Sequence, residues 1–183
     1  MPFDPIVFRQ QFADGNVFAY PTEAVYGLGC DPKNEKAMDH ILSLKQRPAE
    51  KGVILIAANI EQIAPFVDLS ALSDDAKKQM QAHWPGPYTY LVPKTKHTPS
   101  WVSGESDLVA VRVTQHALVC KMCLSVDSPL ISTSANHAGK PPAKSIEEVQ
   151  QYFGQAAVII DGNLGSQSKP STIINALTLE TLR

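Results

Sequence analysis

The chain has 183 residues, 44% of them hydrophobic and 19% charged, which is enough for one sizeable core and short for two, so one domain spanning residues 1–183 is expected. Its 16 basic and 18 acidic residues leave a formal net charge of −2, which excludes a general attraction for nucleic acid or anionic membrane and makes any anion site local. No apolar run reaches the roughly 18 residues that span a bilayer, and the opening MPFDPIVFRQQ lacks the basic-then-apolar pattern of a leader, so a cytoplasmic location with no membrane partner is expected.

Asp4-Pro5 supplies an N-cap and a proline at the first helical position, opening a helix that Gly15 closes. NVFAYP follows as a short strand ending at Pro21. Asn34-Glu35 starts a second helix, in which Ala37, Met38, Ile41, Leu42 and Leu44 keep helical spacing and which must end before Pro48. VILIA (53–57) is apolar on both parities, as a central strand buried on both faces is. Asn59-x-x-Gln62 and Ser73-Asp74-Asp75 predict two helix starts, and the prolines of WPGP (84–87) exclude regular structure. YTYLV and LVAVRV then read as strands, residues 115–124 as a helix and PLIST as a strand. Ser145-x-x-Glu148 reads as a capping box opening a last helix that stops at Gly154, and AVII and STIIN as two final strands. Several consecutive strands lack an intervening helix, so the expected class is α+β (mixed α/β), a twisted mixed sheet covered by helices.

Sheets of this kind bind ligands just beyond strand ends, and four polar or glycine-rich stretches fall there. In YPTEAVYGLGCDP, Thr22 and Glu23 offer a hydroxyl and a carboxylate at a strand end, either as a capped turn or as ligand contacts; Gly27 and Gly29 do not complete a dinucleotide fingerprint. KQRPAEK (45–51) bunches three cations. Lys45 is explained by a helix C-terminus alone, whereas Arg47 and Lys51 read as solvated loop cations or as a fork and a point charge for phosphate. In STSAN (132–136), Thr133, Ser134 and Asn136 either cap a turn or bind phosphate, ribose or a polar substrate. In GSQSKPST (165–172), Ser171 leads into the last strand, and Arg112 is a cation inside the apolar run VAVRV, facing solvent on an edge strand or facing a cleft.

Other chemistries lack their signatures. There is no HExxH, no GxSxG and no GxxxxGK[ST], so no metal held by protein side chains, no hydrolase triad and no P-loop are expected. Cys120 and Cys123 have CxxC spacing, but in a predicted helix with no second pair they read as core packing.

Taken in order, YPTEAVYGLGCDP, LKQRP, KGVILIAAN, WPGP, VAVRVT, STSAN with GKPP, and PST resemble the YrdC-like threonylcarbamoyl-AMP synthases in their short bacterial form. Each motif is modest; the ordered combination is specific and runs from the first predicted helix to the last strand. The resemblance implies a single YrdC-like domain without a C-terminal second domain, and a concave, locally basic cleft. It implies condensation of L-threonine, bicarbonate or CO2, and ATP into threonylcarbamoyl-adenylate with release of pyrophosphate, for threonylcarbamoyladenosine modification of tRNA. Mg²⁺ carried by the ATP phosphates, downstream threonylcarbamoyl-transfer proteins and weak tRNA contact are implied with it.

By motif matching, Lys45 and Arg47 are implied as catalytic and, with Lys51, as the triphosphate clamp. Ser134 and Asn136 are implied as nucleotide contacts, and Thr22, Arg112, Thr133 and Ser171 as the L-threonine pocket. The chain departs from the family pattern in reading His137-Ala138-Gly139 after Ser-Ala-Asn, where relatives often carry an apolar residue, Ser and Gly. The competing expectation is a non-catalytic RNA-binding or ribosome-maturation module using the same concavity, which predicts salt-dependent RNA binding without ATP turnover.

Overall fold

A computed structural model describes residues 2–46 and 52–183 of the chain; Arg47 and Lys51, named above as phosphate ligands, lie outside the described residues. The strands are β1 (Phe18–Pro21), β2 (Tyr26–Gly29), β3 (Ile54–Ala57), β4 (Tyr88–Pro93), β5 (Leu108–Val113), β6 (Leu130–Ser134), β7 (Val158–Ile159) and β8 (Thr172–Asn175). They form one eight-stranded sheet in the order β7-β1-β2-β6-β3-β5-β4-β8. β1 with β7, β3 with β5, and β4 with β8 run parallel, while β1 with β2, β2 with β6, β3 with β6, and β4 with β5 run antiparallel. The sheet is mixed, as the uneven alternation of strands and helices requires.

β2 has no counterpart in the sequence reading, because YGLG has the composition of a loop. Gly29 faces Phe18 of β1, and a Cβ on it would lie 2.1 Å from the Ile131 carbonyl oxygen. Glycine here permits a close approach of neighbouring backbones, the circumstance in which it is used inside a strand.

The helices are α1 (Pro5–Ala13), α2 (Glu35–Lys45), α3 (Ile60–Ile63), α4 (Asp74–His83), α5 (Ser100–Ser103), α6 (Ala117–Val126) and α7 (Ile146–Phe153). Asp4, Asn34, Asn59, Ser73 and Ser145 each accept backbone N–H groups at the starts of α1, α2, α3, α4 and α7, as their sequences predict. Two details differ. Glu148 accepts the amide of Lys144 rather than that of Ser145, so the reciprocal half of the capping box is displaced by one residue. α6 starts at Ala117, two residues later than expected, since the Thr114 hydroxyl accepts the His116 amide at 3.0 Å and holds the chain in a turn.

Strand alternation divides the core between the two faces of the sheet. Leu55, Val109, Val111 and Ile131 join the larger cluster with Met38 and Ile41 of α2. Ile56 and Leu130 join a smaller one with Phe8 of α1 and Val119 and Met122 of α6. Cys123 belongs to this second cluster, its thiol donating to the Ile56 carbonyl at 3.5 Å, so its core-packing role is as expected. On the same face as Ile56, the residues Ile54, Ala110, Arg112, Ser132 and Ser134 surround a cleft instead of a helix.

Candidate active site

The cleft has a volume of about 450 Å³ and takes residues from the turn between β1 and β2, from β3 and β5, from the end of β6 and from the segment entering β8. It gathers Thr22, Arg112, Thr133, Ser134 and Ser171, all singled out in the sequence. Lys45 and Asn136 are not among its lining residues, while Gly52, which follows Lys51, is.

Thr22 does what a turn requires: its hydroxyl donates to the Val25 carbonyl at 2.7 Å, and its amide donates to the same oxygen at 3.0 Å. The backbone of this turn then anchors the opposite wall. The amides of Gly165 and Gln167 donate to the carbonyls of Thr22 and Glu23 at 2.9 and 3.0 Å. A Cβ on Gly165 would sit 2.7 Å from the Glu23 Cα, so only glycine allows this contact.

Arg112 is not on an edge strand. β5 lies between β3 and β4, and Arg112 is only 8% exposed. Its Nη2 lies 3.2 Å from Oε2 of Glu23, and the buried Thr114 hydroxyl donates to Oε1 of the same carboxylate. A buried cation is costly unless it is paired or fully hydrogen-bonded, and here the carboxylate supplies the pairing. The parity of LVAVRV separates Ala110 and Arg112 from the valines and so carries the signal for which face Arg112 occupies. Nothing in the sequence names its partner, which lies 89 positions away in the turn after β1.

Ser171 shares a hydrogen bond with the Thr89 hydroxyl at 2.8 Å, and its carbonyl accepts from Nη2 and Nε of Arg183 at 3.1 and 3.3 Å. Thr89, Arg183 and Lys169 were not singled out from the sequence; Arg183 and Lys169 line the cleft with Arg112 as its described cations, opposed by Glu23.

Lys45, at the end of α2, is 3% exposed and donates to the carbonyls of Ser134 and of Asn136, the latter at 3.0 Å. The loop answers: the amide of Ala138 donates to the Lys45 carbonyl at 2.8 Å and Nδ1 of His137 to the Leu44 carbonyl at 2.7 Å. Asn136 closes its own loop, its carboxamide donating to the carbonyls of His137 and Lys140 at 2.8 Å. The C-terminal turn of α2 and the loop after β6 therefore satisfy each other's carbonyls. Gln46, which follows Lys45, is in the left-handed conformation. Among the described residues, no group of three or more His, Cys, Asp or Glu side chains is arranged to hold a metal ion.

Fold and cleft together define an α+β protein with a mixed sheet that carries a cleft lined by hydroxyls, three described cations and one carboxylate among apolar side chains. The family model Sua5/YciO/YrdC, described as "Telomere recombination", matches residues 10–183, and the chain belongs to this family. A relative from Pseudoalteromonas atlantica named threonylcarbamoyl-AMP synthase is 49% identical over 176 residues, covering 96% of this chain and 94% of the relative. A protein of the same name from Vibrio campbellii is 50% identical over 170 residues, covering 92% of each chain. The crystal structure of P. abyssi Sua5 complexed with L-threonine superposes with a TM-score of 0.85 at 32% identity, over 96% of this chain and 52% of that one, so this chain spans about half the length of that protein.

Proposed function

We infer that the chain is a threonylcarbamoyl-AMP synthase, which joins L-threonine, bicarbonate or CO2, and ATP into threonylcarbamoyl-adenylate with release of pyrophosphate for tRNA modification. The observation that carries this reading is the convergence of Thr22, Arg112, Thr133, Ser134 and Ser171 on one cleft, in a chain 49% identical to a relative bearing that name. The RNA-binding alternative has no comparable support.

The chemistry suits such a cleft. The threonine amine forms an N–C bond to CO2 and loses a proton. A carbamate oxygen then attacks the α-phosphorus of ATP as the bond to pyrophosphate breaks. No protein nucleophile is needed; positioning and stabilisation of charge on the phosphoryl oxygens carry the reaction.

In this reading Thr22, Arg112, Thr133 and Ser171 bind threonine, and Arg112 meets its carboxylate with a planar fork of donors. Ser134 and Asn136 contact the nucleotide. Arg47 and Lys51, just ahead of Gly52 in the sequence, clamp the triphosphate and make the cleft locally basic, with Mg²⁺ carried by the phosphates. Lys45 acts at the junction of the two nucleotide-binding segments. The product, a reactive mixed anhydride, passes to threonylcarbamoyl-transfer proteins, with weak tRNA contact alongside. Among the described residues no helix is long and apolar enough to cross a membrane, in keeping with work in the cytoplasm.

Purified protein given threonine, bicarbonate, Mg²⁺ and ATP is expected to release pyrophosphate only when all components are present. Release that continues without threonine overturns the reading, as does salt-sensitive RNA binding with no ATP turnover.

A further inference from the structure

Glu23 has no part in the reaction outlined above, yet it is 4% exposed and lines the cleft beside Thr22. A buried carboxylate is costly unless paired, and this one is held from two sides, by Arg112 Nη2 at 3.2 Å and by the Thr114 hydroxyl. Two buried atoms of the pair have no hydrogen-bond partner among the described residues: the acceptor Oε2 of Glu23 and the donor Nε of Arg112. Such orphans are rare, and each calls for an explanation. The pair is neutral overall; Oε2 meets Arg112 Nη2 only as an ion-pair contact at 3.2 Å and keeps lone-pair capacity for a further donor, and Nε of Arg112 is a donor without an acceptor.

That combination is complementary to a zwitterion. An arginine alone would attract any carboxylate and a glutamate alone any amine. A neutral pair offers little net attraction to a monoanion, but it can satisfy an ammonium and a carboxylate carried on one carbon. We propose that Glu23 is the specificity-determining residue by which the cleft selects an α-amino acid, its Oε2 accepting from the substrate ammonium group while its carboxylate aims Arg112 at the substrate carboxylate. Thr114 is a positioning residue that fixes Oε1 and so the orientation of the acid. This assignment rests on the reading of the cleft as the threonine pocket.

The test compares wild type with Glu23→Gln, which keeps the size of the side chain and an acceptor for Thr114. Pyrophosphate release gives KM for threonine and for ATP, and 2,3-dihydroxybutyrate, which replaces the amine of threonine by a hydroxyl, serves as inhibitor. Loss of a charge-assisted hydrogen bond is expected to raise the threonine KM about 10- to 100-fold and leave the ATP KM within about twofold. The analogue is expected to inhibit the variant at least about tenfold more strongly, relative to threonine, because the Arg112 charge is no longer compensated.

An unchanged threonine KM, an unchanged preference over the analogue, or an equal rise in both KM values overturns the assignment. Should Glu23→Gln fail to fold, Thr114→Val decides: it is expected to raise the threonine KM alone, with Thr114→Ser restoring it, and no change overturns the assignment. A wild type that releases no threonine-dependent pyrophosphate overturns the functional reading itself, whereas an active wild type with an unresponsive Glu23→Gln overturns only the role of Glu23.

Discussion

Among the described residues, Lys45 and Arg112 are buried cations, and each is found with acceptors that the fold brings from afar: backbone carbonyls of Ser134 and Asn136 for the one, the Glu23 carboxylate for the other. Arginine suits the second position because its fork can serve Glu23 and still offer donors to a substrate, whereas the single ammonium of lysine suits a cluster of carbonyls. Under the proposed function, Arg47 takes the remaining role, contact with the triphosphate. Arg47→Ala is expected to leave the protein folded and to lower pyrophosphate release by about 100-fold, as for removal of one electrostatic stabiliser of a transition state. Thermal melting and steady-state kinetics together check it; unchanged turnover would remove Arg47 from the site.

At the scale of elements, the decisive contact is between the end of α2 and the loop after β6. Helix C-termini leave carbonyls without partners, and here the amide of Ala138 and the ring of His137 take two of them. His137 also packs edge-on against Tyr152 and Phe153 of α7, with ring centroids 5.3 Å apart, so one side chain ties three elements together. Beside this packing it contributes a hydrogen bond to the Leu44 carbonyl. His137→Ala is expected to loosen the loop bearing Ser134 and Asn136 and raise the ATP KM several-fold, by about 1 kcal/mol for one lost hydrogen bond, with the threonine KM unchanged. His137→Asn, which keeps a donor, is expected to restore part of the loss; equal shifts in both KM values would show a general effect on folding instead.

For the whole molecule, burial of weak acids on both faces of the sheet sets the response to alkali. Burial pushes the Cys123 thiol up from 9.0 to about 12, and burial first, then the neighbouring Tyr88, pushes the Tyr90 phenol up from 10.0 to about 12. Burial likewise raises Cys30 and Tyr20. In the folded state these groups stay protonated where the unfolded chain would ionise, so above about pH 9 the native state binds more protons than the unfolded one. The stability they contribute is full below the unfolded values and is lost as pH rises through them towards about 12. The denaturant midpoint is therefore expected to fall between about pH 8 and about pH 10.5, and Cys123→Ala to show a smaller fall over the same interval. A midpoint independent of pH over that range would contradict the burial of these groups.

Much of this molecule is legible in its sequence because the signals are local. Capping residues at Asp4, Asn34, Ser73 and Ser145 set helix starts, the apolar run at 53–57 marks the strand at the centre of the sheet, and hydroxyls after strand ends with an arginine inside an apolar run mark a cleft. The resemblance, too, rests on motifs read in order along the chain. What the tertiary structure decided depends on contacts between distant segments. β2 is a strand only because Gly29 allows the Ile131 backbone to come close, Arg112 is buried only because Glu23, itself held by Thr114, meets it, and Lys45 turns inward only because the loop after β6 presents carbonyls to it. Local sequence fixes which groups a segment can offer; which of them must be paired depends on burial, and burial is a property of the assembled sheet and its covering helices.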